Sequence, residues 1–232
     1  DKIPFGSHLT EMGGIIQASR GQMTSQTIRQ AAVDAIHEAE QYGTFFFCDI
    51  CNSTEFIRFL RDLPAFNGNR YLELLGFSSP SDLQRIAKAR ELLDIDSTFY
   101  PTVHSVYGSS PLQMHFVREK ARHTSVSIHL LESPDEIDFQ YDRGEIVAFL
   151  KRLGQHVKHQ EMQGRSAVDY LHSVGMLSFK KLLLIHLSAA RTEDIDRLSD
   201  YVPHAAWVIC HRSNKHLGID RADRVAARAL AV

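Results

Sequence analysis

Hydrophobic and polar positions along this chain alternate between a helical pattern and short apolar runs. Apolar residues recur at helical spacing over 25–42, where Ser25 is the expected N-cap and Gly43 the C-terminal stop. Short β-branched or aromatic runs, each of which predicts a buried strand, occupy 44–49, 71–77, 98–103, 126–131, 182–185 and 206–210. Each predicted strand is followed by helix, so the pattern indicates an α/β fold with parallel pairing and right-handed crossovers.

The helical segments between these strands are delimited by proline, serine and glycine. Pro64 ends the first of them, and Ser79-Pro80 opens the next. The predicted helices after the first strand cover 55–63, 79–93, 111–123, 136–139, 144–153, 166–171 and 193–201. We find no internal repeat and no low-complexity linker, and we therefore expect a single domain over residues 1–232.

Composition and charge narrow the class of protein. The chain is 44% hydrophobic and 23% charged, as in ordinary soluble globular proteins. Its 26 basic and 28 acidic residues form no long run of one sign, so nucleic acid and membrane surfaces are not expected partners. No apolar stretch approaches the roughly 20 residues that span a bilayer, and residues 1–6 lack a signal-peptide pattern. Three cysteines without a regular framework favour a reducing, cytoplasmic setting.

Two predicted strands end in a histidine. His129 ends the fourth strand and Glu132 follows in the next loop, while His186 ends the fifth strand. In parallel α/β folds the carboxyl ends of the strands carry the chemistry. Imidazoles at such ends can share one divalent metal, and a nearby carboxylate can transfer protons. The alternative is that the histidines are hydrogen-bonded core residues and Glu132 is a solvated loop carboxylate.

Three further residues are candidates for contact with a substrate. His104 and Tyr107 follow the third strand, where an imidazole and a phenol could hold a heterocycle or its ribose. Packing within the loop is the alternative for both. Arg212 follows the last strand and could contact an anionic group, whereas Asn214 is expected to brace the end of the strand.

Two other patterns invite a functional interpretation that the residues do not support well. Cys48 and Cys51 form a C-x-x-C, but Asp49 lies between them and no second cysteine pair completes a zinc site. His156 and His159 lie one helical turn apart among polar residues, which favours a solvated helix face.

The strand-end segments also resemble the amidohydrolase superfamily, in particular its purine-type deaminases and chlorohydrolases. His129-Leu-Leu-Glu132-Ser-x-x-Glu136 resembles the stretch H-x-x-E-(S/T)-x-x-E of that superfamily. Three further segments resemble its other elements in the same order, and a fourth does so more weakly. They are Pro101-Thr-Val-His104-Ser-Val-Tyr107, His186 with Glu193-Asp194-Ile195, Val208-Ile-Cys210-His-Arg-Ser213-Asn214 (with His211 where proline is usual) and, more weakly, Gly43-Thr44-Phe-Phe-Phe-Cys-Asp49.

The resemblance implies a (β/α)8 TIM-like barrel in which residues 44–217 supply the second to seventh strands. The first strand of the family, with an H-x-H metal pair, is expected upstream of Asp1, and a metal aspartate in a G-T-D setting is expected after Leu217. Asp220 instead follows Ile219, and 218–232 has the pattern of a basic, Ala-rich helix. Either the chain omits parts of a longer protein or it is a truncated relative.

The resemblance also implies a reaction. One Zn²⁺ or Fe²⁺ held by His129 and His186 would activate water, and Glu132 would shuttle protons during loss of ammonia from a purine-like base or nucleoside. Aminodeoxyfutalosine deaminases are the relatives we favour, and family members are often homodimers. The alternative is a truncated or inactive barrel that acts as a binding or structural module, because the chain lacks the H-x-H pair and a clear metal aspartate.

Overall fold

The computed structural model describes residues 24–76, 79–154 and 164–219, together with residues 10, 11, 14, 15, 18 and 162. Its strands and helices alternate as the hydrophobic pattern predicts. In chain order they are α1 Ser25–Gln41, β1 Phe47–Cys51, α2 Thr54–Arg61, β2 Gly68–Leu74, α3 Ser79–Ile95, β3 Phe99–Val103, α4 Pro111–Lys120, β4 Val126–Leu130, α5 Asp135–Phe139, α6 Gly144–Arg152, α7 Ala167–Ser173, β5 Leu182–His186, α8 Thr192–Tyr201, β6 Ala206–Val208 and α9 His211–Leu217.

The six strands form two three-stranded sheets, β1-β2-β3 and β4-β5-β6, in which every pair is parallel. The prediction of six parallel strands is therefore confirmed. The bounds of β2 differ from the expected 71–77, because its ladder with β1 begins where Phe47 pairs with Gly68. Backbone pairing, rather than the extent of the apolar run, sets the ends of this strand.

The two sheets meet where β3 lies beside β4. The Thr102 hydroxyl donates to the Ser127 carbonyl, and the backbone N–H of Ser127 donates back to Thr102 Oγ1 at 2.9 Å. The backbone N–H of His129 donates to the His104 carbonyl at 2.9 Å. Among the described residues β1 and β6 do not pair, so the strands form an open series and no closed barrel is seen.

One hydrophobic core joins the inner strands to the helices that cover them. Val103, Ile128 and Leu184 are completely buried in it, and burial of each such side chain stabilises the fold by roughly 1.5–3 kcal/mol. By contrast, Phe45 and Phe46, which precede β1, remain 64% and 58% exposed. The core is therefore centred on the inner strands β3, β4 and β5 rather than on β1.

Helix termini agree only in part with the sequence. Ser110 caps α4 through a capping box with Gln113, and Pro111 occupies the first turn. The prediction that Ser25 is the N-cap of α1 is wrong, because the N-cap is Thr24, whose hydroxyl accepts the N–H of Thr27. None of the helices in the described ranges has the length and apolarity needed to cross a membrane.

The last described helix, α9, was not expected from the sequence. Its residues His211–Leu217 are mostly polar and have no apolar period, and it ends at Gly218, whose left-handed φ of 70° suits glycine. The predicted helix over 218–232 therefore does not begin at Gly218. Asp220 and the remainder of that segment lie outside the described residues, as do His156 and His159.

Candidate metal and catalytic site

Three histidines from three strands lie together at the carboxyl ends of β3, β4 and β5. Nδ1 of His129 is 3.1 Å from Nε2 of His186. On its other side the His129 ring stacks on the ring of His104, with centroids 5.0 Å apart and planes inclined by 23°. The structure thus brings together the two histidines that the sequence places at strand ends.

Local backbone conformation brings His186 to His129. In the β4–β5 ladder His129 is opposite Ile185, while His186 is opposite Leu130, so regular alternation would direct the two histidines to opposite faces. His186 and the next residue, Leu187, have φ values of 81° and 54°, in the left-handed region that residues other than glycine seldom adopt. Such strain costs of order 1–3 kcal/mol and concentrates at functional sites.

Glu132 completes this cluster. Its Oε1 lies 3.3 Å from Nε2 of His186, and the residue is 7% exposed. Burial raises the pKa of the Glu132 carboxyl, although the nearby His129 and a hydrogen bond from Tyr107 lower it in part. A carboxyl whose pKa is raised by burial holds a proton more readily than a solvated carboxyl does, which suits a group that accepts and returns a proton.

A second buried carboxylate, Glu136, supports the loop that carries Glu132. Its two oxygens accept the backbone N–H groups of Leu131 at 3.1 Å and of Glu132 at 2.6 Å. Burial raises the pKa of Glu136 to about 8, against the lowering effect of these hydrogen bonds. Leu131 has a φ of 51°, so Glu136 stabilises a loop that starts from an unfavourable backbone conformation.

The donor set fits a divalent transition metal. Ligand atoms of His129, Glu132 and His186 lie within 4.8 Å of one another, and those of Glu73, His104 and His129 do so as well. Burial lowers the pKa of His104 to about 4 and that of His186 to about 3, so both imidazoles are neutral and keep a lone pair. Imidazole nitrogen and carboxylate oxygen are ligands that zinc and iron accept.

His104 and Tyr107 form one wall of the site. Nδ1 of His104 is 2.8 Å from the Ser105 hydroxyl, and the rings of His104 and Tyr107 meet edge to face with centroids 5.5 Å apart. Burial raises the pKa of Tyr107 well above its usual value, with the Glu132 and Glu136 carboxylates adding to the effect. The phenol is therefore a stable hydrogen-bond donor beside Glu132.

The remaining sequence candidates lie apart from this cluster. Arg212 is exposed on α9 and does not join the buried group. Asn214 on the same helix is buried and accepts a hydrogen bond from the Ser188 hydroxyl at 2.5 Å, so it braces the loop after β5. Cys48 and Cys51 on β1 are both thiols rather than halves of a disulfide, and Cys48 is exposed.

Sequence reasoning missed Glu73 on β2. Its Oε1 lies 3.5 Å from Nε2 of His129, and the residue is 9% exposed. The available signal was a carboxylate within the otherwise apolar run Tyr71-Leu72-Glu73-Leu74. Such a charge in a buried strand is rare unless it has a partner.

Comparisons with known proteins establish the fold. No protein-family description and no curated protein sequence matches this chain. Aminofutalosine deaminase from Helicobacter pylori, solved in complex with methylthio-coformycin, matches 99% of this chain and 57% of its own length, with a TM-score of 0.75 and 21% identity. A second structure of that enzyme has a TM-score of 0.64 at 20% identity and matches 93% of this chain and 56% of its own.

Guanine deaminase from C. acetobutylicum, solved with guanine in its active site, has a TM-score of 0.58 at 17% identity, over 82% of this chain and 45% of its own. The chain thus spans about half the length of the solved structures it matches. These neighbours are deaminases of the amidohydrolase superfamily. The resemblance indicated by the sequence motifs is therefore confirmed for the fold.

Proposed function

We propose that the protein is a metal-dependent hydrolase that deaminates an aminated purine-like base or nucleoside. One observation carries the proposal: His129, His186 and Glu132 converge at the carboxyl ends of β4 and β5, with contacts of 3.1 and 3.3 Å. The left-handed backbone that brings His186 there has a cost in stability, which a functional role would explain.

Each residue has a role that its surroundings support. The imidazoles of His129 and His186 would hold one Zn²⁺ or Fe²⁺, and the bound cation would supply Lewis-acid chemistry that lowers the pKa of water. Glu132 would accept a proton at its carboxylate and deliver it to the ring nitrogen of the substrate. Its burial supports this role, because it raises the pKa of the carboxyl and so makes the protonated form easier to reach.

The substrate class rests on the wall formed by His104 and Tyr107. A neutral imidazole and a phenol are groups that meet ring nitrogens and ribose hydroxyls, and the Tyr107 phenol lies beside Glu132. The chain has no Gly-rich phosphate cradle of the P-loop or dinucleotide type. The neighbours solved with methylthio-coformycin and with guanine favour the same class of ligand.

The test is release of ammonia by the Zn²⁺- or Fe²⁺-loaded protein. A panel of adenine- and guanine-type bases and nucleosides, including 6-amino-6-deoxyfutalosine, would be compared with amides and esters. We expect ammonia from at least one purine-like compound and none from the amides. Hydrolysis of an amide or ester without any deamination would refute the deaminase assignment while leaving a metallohydrolase.

A second candidate function follows from the number of ligands. Within the described ranges two histidines face Glu132, whereas catalytic zinc sites usually have three protein ligands. A binding module would retain purine affinity and release no ammonia from any member of the panel. Calorimetric titration with the same compounds separates this outcome from the enzymatic one.

A further inference from the structure

Glu73 approaches the side of His129 that faces away from His186. Its Oε1 lies 3.5 Å from Nε2 of His129, at the outer limit of hydrogen-bonding range, while Nδ1 of the same ring lies 3.1 Å from His186. The two ring nitrogens of His129 therefore face different neighbours, namely a carboxylate and a second imidazole.

A neutral imidazole carries one proton, and its neighbours decide which nitrogen holds it. A carboxylate only accepts hydrogen bonds when ionised, so Glu73 favours the proton on Nε2. We infer that Glu73 is a positioning residue that keeps His129 in the Nε2–H tautomer and leaves the Nδ1 lone pair facing His186. The inference rests on the metal site proposed above, because Nδ1 then becomes the ligand atom.

The fold confines the His129 ring beside Glu73. The His129 ring is confined by stacking on His104, and its backbone N–H is held by the His104 carbonyl at 2.9 Å. Glu73 is itself buried on β2, as are its neighbours Leu72 and Leu74. The confined ring and the buried carboxylate make the contact a property of the fold.

The inference has a measurable consequence for metal affinity. Ligand histidines commonly donate their other N–H to a carboxylate, and loss of that partner typically weakens metal binding about 10- to 100-fold. Glu73→Leu removes the acceptor. Glu73→Gln keeps one carbonyl oxygen that can accept the same N–H, so it should retain most of the tautomer preference and of the affinity.

The decisive measurement is long-range ¹H–¹⁵N NMR of the metal-free protein at a pH of about 8, above the ordinary pKa of histidine. We expect the Nε2–H tautomer of His129 in the wild type and in Glu73→Gln, and a mixture or the Nδ1–H form in Glu73→Leu. Asp82→Asn is the matched control, because Asp82 is a buried carboxylate on α3 that contacts Gln113 at 2.9 Å. This control should leave the His129 spectrum unchanged.

Zn²⁺ titration supplies the second readout. We expect a 10- to 100-fold rise in the Kd for Glu73→Leu and a smaller one for Glu73→Gln. An Nδ1–H tautomer in the wild type, or an unchanged tautomer in Glu73→Leu, overturns the inference. Binding of two equivalents of Zn²⁺ by the wild type and of one by Glu73→Leu would also overturn the inference, because it would show that Glu73 is itself a metal ligand. A wild type that binds no Zn²⁺ refutes the proposed function, while the NMR result still decides the role of Glu73.

Discussion

Burial sets the protonation of single residues around the candidate site. Transfer from water disfavours the charged form of every group, so histidines become neutral and carboxylates more readily protonated. His186 and His104 have pKa values lowered to about 3 and about 4, whereas the pKa of Glu132 is raised. The same environment thus gives lone pairs for a cation and a carboxyl that can exchange a proton.

Replacement of Glu132 by glutamine tests its role in proton transfer. The amide keeps the size of the side chain but cannot carry the proton, so turnover should fall about 10²- to 10⁴-fold while folding is preserved. The measurement is steady-state ammonia release together with circular dichroism. Glu145→Gln, at an exposed position of α6, is the control and should be fully active. Near-normal turnover in Glu132→Gln would make Glu132 an ordinary loop carboxylate.

Asp49 on β1 supplies a pH-dependence prediction away from the histidines. Its Oδ2 is buried without a hydrogen-bond partner in the described part of the chain, and burial raises its pKa from 3.8 to about 6. The folded state therefore binds this proton more tightly than the unfolded state, and the free energy of unfolding falls as pH rises from about 4 to 6. The loss is on the order of 2 kcal/mol above pH 6.

Asp49→Asn removes this titration. The variant should be more stable than the wild type at pH 7 and nearly equal to it near pH 3.5, as measured by urea denaturation across the range. Asp94→Asn, on the exposed face of α3, should follow the wild-type curve. Parallel curves for Asp49→Asn and the wild type would show that Asp49 titrates normally.

Among the elements, the loop after β4 depends most on one side chain. Glu136 lies in the first turn of α5 and accepts two backbone N–H groups of the preceding turn, which includes Leu131 in the left-handed region. Nothing else in the described residues is seen to hold both donors. The position of Glu132 therefore depends on Glu136, whose side chain holds the backbone of Glu132 and not its carboxyl group.

Loss of the Glu136 carboxylate should destabilise this element. Glu136→Ala leaves two buried N–H groups without an acceptor, and each such group costs about 1–3 kcal/mol. We expect the free energy of unfolding at pH 7 to fall by about 2 kcal/mol or more. Glu136→Gln keeps one acceptor oxygen, so its free energy of unfolding should lie between those of the wild type and Glu136→Ala. Equal stability of all three proteins in urea would show that water replaces the carboxylate without cost.

In the molecule as a whole, the site lies where the two sheets meet. Glu73 and His104 belong to the first sheet and its C-terminal end, and His129 and His186 to the second. A cation bound by His129 and His186 would link β4 and β5 beside this junction, and it would bind only the folded protein, in which the two histidines meet. Metal binding should therefore stabilise the whole fold and not only the site.

This coupling can be measured as a metal-dependent melting temperature. Zn²⁺ at about 100 times its Kd should stabilise the wild type by about 2.7 kcal/mol, since it binds the folded state. His129→Ala should remove most of the bound metal and the shift in Tm, whereas His123→Ala, at an exposed position, should retain both. Elemental analysis that finds wild type and His129→Ala equally metal-free would contradict the metal site.

The single-domain organisation and the homodimer stay predictions.

The sequence by itself determined the order and type of nearly all elements, because apolar period and capping residues are local signals. It also placed His104, His129 and His186 at strand ends and Glu132 in the following loop, since parallel strands display their carboxyl ends on one edge. It failed where local signals are weak, as at the polar helix α9, and at the cap of α1, where Thr24 rather than Ser25 is used.

Only the tertiary structure decided which of these residues meet. The left-handed conformation of His186, the contact of Glu73 with His129 and the exposure of Arg212 depend on packing between segments far apart in the chain. The raised pKa of Glu132 and the lowered pKa of His186 likewise arise from burial, to which several elements contribute. The periodicity of apolar residues indicates which face of one segment packs against the core. The distances between side chains and their desolvation depend on all the segments that surround them.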